Sequence, residues 1–432
     1  IIEVITKKIM YCFIPLFIII TVPNLTSQKS KKDYHRLESK VIEWRHDLHQ
    51  HPELSNREFR TAEKVAKHLK SLGMEVQTGV ANTGVVGLLK GKKPGKTLAL
   101  RADMDGLPVK ERNDLPYRSK AIGKFMGNEV PVMHACGHDT HVAILMGAAE
   151  YLAKNNNFSG NIKFIFQPAE EGPPPGEKGG ASLMIEEGVL DNPKVDAIVG
   201  LHIKSEYRVG EIVYKPRGFM AASQRFVIDI KGKQSHGSTP WQGVDPIMIG
   251  TKIIDGIQTI VSRNLELTKE GAVISVGSFH SGVRFNIIPE SAQIIGTIRT
   301  LDRDMKEQIR DRMTQLVPTI AKAYGGEAVI SRVDGADITF NDPELTKQLV
   351  PSLKRVLSED KVYQIKAITG AEDFSYFQNE IPGFFFFLGG TSLATPANEI
   401  PSHHTPDFIA EDDALIIGVK AISQIAIDFL RN

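Results

Sequence analysis

Residues 161–172 read NIKFIFQPAEEG, a short apolar run that ends in two adjacent glutamates. A continuous apolar run of this length is the pattern of a strand buried on both faces, as in a parallel sheet lying between helices. The runs TLALRAD (97–103), AIVGLHI (197–203) and GFFFFLGG (383–390) share the pattern, with helical segments between them. The expected fold is therefore α/β, a mainly parallel sheet with helices on both faces. Three of these runs end at groups able to do chemistry: Asp103 with Asp105, Glu170 with Glu171, and His202. In open sheets of this class the ligand crevice lies beyond the carboxyl ends of the strands, so these distant groups are expected to converge.

Residues 219–333 follow a different grammar. Strand SQRFVIDIKG, helix DPIMIGTKIIDGIQTIV, strands AVISVGSFH and ESAQIIGTIRT, a helix from Arg303 to Tyr324 and strand EAVISRV follow in order. That β-α-β-β-α-β succession is a ferredoxin-like split unit. It reads as an inserted second domain, with residues 28–218 and 334–432 forming the two parts of the first.

A chain of 432 residues, 41% of them hydrophobic, supplies cores for two such domains. Lys plus Arg (52) nearly cancels Asp plus Glu (51), so the charge balance points to no nucleic-acid or anionic-surface partner and suits a small substrate. At the front, Lys7 and Lys8 precede the apolar run IMYCFIPLFIIITV (9–22) and the polar stretch LTSQKSKK. Residues 1–27 thus have the layout of a secretory signal peptide, with cleavage expected near Ser27 and export to the periplasm or medium. The run is shorter than the ~20 residues that cross a bilayer and Pro15 interrupts it, so no stable span is expected in the mature chain. Cys12 would leave with the leader. Cys136 would then have no disulfide partner in its own chain.

From Asp33 to Ser71 the pattern predicts two helices, with Ser55 and Glu58 spaced as a capping box and Gly73 as a C-terminal cap. His49 and His51, at the break between them, read as structural.

In MHACGHDTH (133–141), helical periodicity starts just after the motif, at Val142, Leu145, Met146, Ala149 and Leu152. Cys136 and His138 are thereby placed at a helix entrance, where the backbone dipole favours thiolate over thiol. The pair suits metal ligation or an activated nucleophile, with a buried inert cysteine as the plain alternative. His134 and His141 read as scaffold. Neighbouring carboxylates on an extended chain point different ways, so one glutamate of QPAEEG can bind a cation while the other reaches its water. SHHTPDF (402–408) adds His403 or His404, between which position alone does not choose. One thiolate with imidazoles and carboxylates suits Zn²⁺, with Mn²⁺, Co²⁺ and Ni²⁺ in range.

Taken in order, LHQHPELS, RADMDGLP, HACGHDTH, QPAEEG, GLHI, HGSTPWQGVDPI, NIIPE, GTIRT, GAEDF and HHTPDF run over nearly the whole mature chain. Together they resemble the dinuclear-metal amidohydrolases and peptidases that include hippurate hydrolase, N-acyl-amino-acid amidohydrolases and plant auxin-conjugate hydrolases. The resemblance implies a catalytic domain with two divalent ions, Zn²⁺ or Mn²⁺ foremost, and a smaller inserted domain serving as lid and homodimer contact. It assigns Cys136, His138, Glu171, His202 and His404 as metal ligands and Glu170 as general base. Asp103 corresponds to an acidic residue that orients or tunes the metal site. His236 resembles a histidine that enters the partner subunit's site and bonds the reacting carbonyl oxygen, and Asn286 is placed to help bind substrate. Gly106 and Ala371 depart from the common alanine and serine, and the PPPGE loop after QPAEEG is longer than in many members.

The activity so implied is hydrolysis of the amide bond of N-acyl amino acids or small dipeptide-like molecules, by metal-activated water with Glu170 as base. One rival makes Cys136 the nucleophile of a thiol hydrolase. Another is a non-catalytic exported binding protein for acylated amino acids, against which the retention of both glutamates argues.

Overall fold

A computed structural model describes residues 25–431. The expected leader lies outside the described residues, apart from its last three positions, which open the first helix, Leu25–Gln50. Among the described residues no helix is long and apolar enough to cross a membrane.

The main sheet has eight strands in the order Glu75–Val80, Gly84–Lys90, Ser159–Gln167, Lys93–Asp103, Ala197–Arg208, Gly383–Thr391, Ile212–Tyr214 and Val362–Gln364. Its centre is parallel: Lys93–Asp103 runs with Ser159–Gln167 on one side and with Ala197–Arg208 on the other, which in turn runs with Gly383–Thr391. Antiparallel pairs flank that centre. The apolar runs of the sequence are these central strands, and their period of two divides them between two cores. Phe384, Phe386 and Leu388 join the cluster that contains Leu98, Leu100, Phe164 and Leu201, while Phe385 and Phe387 join the one with Ala99, Ile165 and Ile198. All four phenylalanines are fully buried, each stabilising the fold by about 1.5–3 kcal/mol. Helices His138–Lys154, Pro343–Val356 and Asp413–Phe429 cover the first face, and Gly180–Glu186 and Ser375–Glu380 the second.

The capping box expected at Ser55 and Glu58 does not form. Helix Phe59–Ser71 has no side-chain cap from Glu58. Glu53 does that work instead, accepting from the backbone N–H groups of Arg60 and Thr61 at 2.9 and 2.8 Å. Glu58 is fully buried and turns inward to Thr83 and to the amide of Ala169, and Ser55 donates to Asp105. A buried carboxylate must find donors, and tertiary partners outcompeted the local cap. The helical stripe expected from Val142 onward is also wider than read, since His138 through Leu152 are buried all round.

Residues 222–334 build a separate antiparallel sheet in the order Ala272–Ser281, Ser291–Thr300, Ala222–Lys231, Glu327–Asp334. Helices Pro246–Asn264 and Arg303–Ala323 pack on it, completing the β-α-β-β-α-β order. Ile249, Ile253, Ile257 and Ile260 form the buried stripe of the first helix and meet Phe226, Ile228 and Ile230 from alternate positions of a strand. Asp245 and Asp302 cap the two helices through their side-chain oxygens.

Candidate metal centre

The strand ends converge as the topology requires. Asp103 closes its strand, QPAEEG follows directly on Ser159–Gln167, and His202 lies in the neighbouring strand. Helix His138–Lys154 starts over them, its cap residue Gly137 held at φ 93°, where a Cβ would come within 2.4 Å of Ile203 Cγ2. Only glycine lets Cys136 and His138 turn toward the same strand ends.

Five groups of three donors form among the described residues: Glu170 belongs to two, with His138 and Glu171 and with Glu372 and Asp373, Asp103 joins His138 and His141 in a third, and the remaining two share the Cys136 sulfur. Cys136, His138 and His202 form one, and Cys136, Glu171 and His404 the other, with the ligating atoms in each triad within 4.8 Å of one another. The sulfur of Cys136 lies 3.3 Å from His202 Nε2 and 3.2 Å from His404 Nε2. His404, brought in by a left-handed backbone at φ 62° and by its N–H on Ala135 O, is the histidine of HHTPDF that reaches the Cys136 sulfur. His403 is spent elsewhere, with Nε2 accepting from Ser205 N and Nδ1 donating to Cys136 O.

The donors fit a divalent cation on three observations. His138 Nδ1 lies 3.3 Å from Asp105 Oδ1 and His202 Nδ1 donates to Ile203 O, so both rings keep the Nε2 lone pair for the centre. His138 Nε2 is buried without a hydrogen-bond partner. Glu171 Oε1 and His404 Nε2 approach to 2.9 Å without the alignment of a hydrogen bond, as two lone pairs do when they face a third atom. The local field agrees. Although burial opposes charge on the ring, Asp103, Cys136 and Asp105 push His138 well above its ordinary value. The Cys136 sulfur and the Glu171 carboxylate beside its Nε2 push His404 up to about 10. The centre thus attracts positive charge, and borderline-soft Zn²⁺ suits its thiolate and imidazoles.

Burial, reinforced by Glu171, pushes the Cys136 thiol above the ordinary value. A thiol so held is a poor free nucleophile, whereas a cation would displace its proton outright.

Glu170 stands beside the triads, its Oε2 3.9 Å from His138 Nε2 and its Oε1 3.4 Å from the amide of Asp373. Burial and the carboxylates of Glu372, Glu171 and Asp373 push it well above the usual carboxylate range. A cavity of about 560 Å³ opens next to it, reaching Lys178 and Ser182 on one side and Ser223 and Gly335 at the base of the second sheet on the other.

Asp103 is fully buried and divides its oxygens between His141 Nδ1 at 2.5 Å and Arg101 Nη1 at 2.7 Å. His141, read as scaffold, in turn accepts from Ile203 N and so ties the helix to the His202 strand. His236 and Asn286 are brought together on the second sheet's side, where strand Ser235–His236 pairs with Ile287–Ile288 and Gly237 N donates to Asn286 O. His236 belongs to no donor group among the described residues.

Sequence reasoning placed Asp105 at a strand end without giving it a role, and missed Arg101. Asp105 accepts from the amides of Glu170 and Glu171, both at 3.1 Å, and from Ser55 Oγ. Arg101, wholly buried, donates to Gln167, Asp103, Glu372 and Asp373. The signal for Arg101 was available: it precedes Asp103 by two on a strand, hence shares its face, and a cation in a buried run demands partners.

Residues 99–428 match the sequence signature of peptidase family M20/M25/M40. Thermostable carboxypeptidase 2 of Saccharolobus solfataricus is 40% identical over 405 residues, 93% of this chain and 98% of its own length. The N-acetyl-L-cysteine deacetylase of Bacillus subtilis is 36% identical over 394 residues, 91% of this chain and 89% of its own. The crystal structure of a dinuclear metal-binding M20-family peptidase from Bacillus subtilis superposes with a TM-score of 0.76 at 32% identity, covering 92% of this chain and 99% of its own.

Proposed function

Because the chain belongs to peptidase family M20/M25/M40 and is a hydrolytic metalloenzyme, we propose that it cleaves the amide bond of N-acyl amino acids or small dipeptide-like substrates. The observation that carries this reading is the position of Glu170: it lies beside the two groups that share Cys136 and belongs to neither, while its own group, with His138 and Glu171, sets its carboxylate next to one donor from each.

In this reading Cys136, His138, His202, Glu171 and His404 would together hold two divalent ions, Zn²⁺ or Mn²⁺ foremost. Ions bound there polarise the scissile carbonyl and lower the pKa of water. Glu170 takes a proton from the attacking water on Oε2 and returns it to the departing amine nitrogen. Its raised affinity for a proton suits the interval between the two transfers. Asp105 holds the amides of Glu170 and Glu171 and the ring of His138 in one frame, so base and donors keep their relative positions. Asp103, between Arg101 and His141, steadies the floor beneath them.

His236 supplies a donor for the developing oxyanion, and Asn286 helps seat the substrate. Ser238 N donates to His236 Nδ1 at 3.0 Å, which leaves the proton on an exposed Nε2. His236 belongs to no donor group among the described residues; in this reading it serves the site of a second copy, in a homodimer formed through the 219–333 unit, which acts as lid.

The test is a hydrolysis panel of N-acetyl, N-benzoyl and indole-acetyl amino acids with dipeptides, on protein of measured metal content. Cleavage that chelation abolishes and added divalent ion restores supports the reading. No cleavage of any member by fully loaded protein contradicts it and favours a binding role.

A further inference from the structure

Strands Ile122–Phe125 and Asn128–Pro131 form a hairpin whose two-residue turn is Met126 and Gly127, both with positive φ, 48° and 85°. Such a turn normally carries Asn-Gly, since asparagine tolerates the left-handed region and a long side chain gains nothing from it. Met126 nevertheless stands there 71% exposed, with Ile122 and Phe125 exposed beside it, and none of the three belongs to a hydrophobic core. These residues serve neither the turn nor the packing.

What the hairpin tip does border is a cavity of about 660 Å³, walled by Leu54, Leu107, Phe125, Met126, Pro174 and Pro175 and reaching Glu171 of the second donor triad. The hairpin is pressed onto this wall: a Cβ at Gly123 would lie 2.9 Å from both Leu54 Cδ1 and Val132 Cγ2. Arg57, at the rim, is committed to Glu177 and to Asn56 O.

Resting on the reading of the chain as an N-acyl-amino-acid hydrolase, we propose that this cavity receives the acyl half of the substrate. The occupant is an aliphatic or aromatic acyl group larger than acetyl, and Phe125 and Met126 set the preference. Apart from Lys124, which also lines the cavity, a carboxylate of the amino-acid half would lose its water among leucine and proline side chains, with the Arg57 guanidinium already engaged. The acyl half gains by leaving water, and the flexible thioether of Met126 adapts to its shape.

The experiment compares wild type with Met126→Asn, both metal-loaded. It measures kcat/KM for the N-acetyl, N-hexanoyl and N-benzoyl forms of one amino acid, and calorimetric binding of acetate, hexanoate and octanoate. Asparagine favours this turn, so the variant is expected to melt no lower than wild type, and lost selectivity is then not a folding defect. Wild type is expected to prefer hexanoyl and benzoyl over acetyl and to bind longer carboxylates more tightly. In Met126→Asn the preference falls about tenfold and the gain with chain length shrinks. A wild type that favours acetyl, or a preference unchanged in Met126→Asn, overturns the proposal. If no amide is cleaved while carboxylate affinity still rises with length and weakens in Met126→Asn, the hydrolase reading falls and the cavity assignment stands.

Discussion

His138 meets Asp105 at 3.3 Å through Nδ1 and Oδ1, and the same carboxylate accepts the amides of Glu170 and Glu171. One side chain thus fixes the tautomer of a donor ring and the turn that carries the paired glutamates. Asp105→Ala is expected to weaken metal binding about 10–100-fold, measured by competition with a chelator of known affinity. Unchanged affinity would show that Asp105 only fills space.

Arg101 is the counter-charge beneath the centre. Replacing it by methionine leaves Asp103, Glu372 and Asp373 buried without their shared cation. The expected cost is about 3–5 kcal/mol, read from the denaturant midpoint. Arg101→Lys recovers only part, because an ammonium does not reproduce the planar fork that reaches Gln167 as well.

The candidate residues of the centre were legible because they stand at strand ends or at a helix entrance, where periodicity changes. Cys136, His138, Glu170, Glu171 and His202 are of that kind. The framework behind them was not, because its bonds join residues far apart in the chain, as Arg101 with Glu372 and Glu58 with Ala169. Local spacing misled where tertiary contacts competed: Ser55 and Glu58 match a cap yet serve Asp105 and the QPAEEG turn. The 222–334 sheet was readable because alternation and helical stripes there answer to one core.

His68 links pH to stability away from the centre. Burial holds its ring below the ordinary 6.5, while its Nε2–H donates to Met146 O at 3.1 Å and the ring packs against Trp44. Below pH ~6.5 the unfolded chain takes up a proton that folded His68 refuses, so stability falls as pH drops toward the depressed folded value, by at most about 1.4 kcal/mol per pH unit for this group. His134, held down to about 4 by burial, acts in the same direction. Equilibrium unfolding at several pH values is expected to show a shallower loss for His68→Gln. An identical slope would remove His68 from the account.

The shared-site reading of His236 predicts complementation. His236→Ala is expected to lower kcat about 10²-fold, as for loss of one oxyanion donor. Mixed with Glu170→Gln subunits and allowed to exchange, it is expected to regain about a quarter of wild-type activity, since half the dimers are mixed and each contains one intact site. No recovery would place His236 in the site of its own chain.

The most direct measurement of the central claim is metal content and turnover on one preparation of Glu170→Gln. A base that stands outside both triads predicts metal bound as in wild type, with kcat lower by about 10²–10⁴-fold. Near-normal hydrolysis by the loaded variant, or loss of the metal together with activity, would contradict the account.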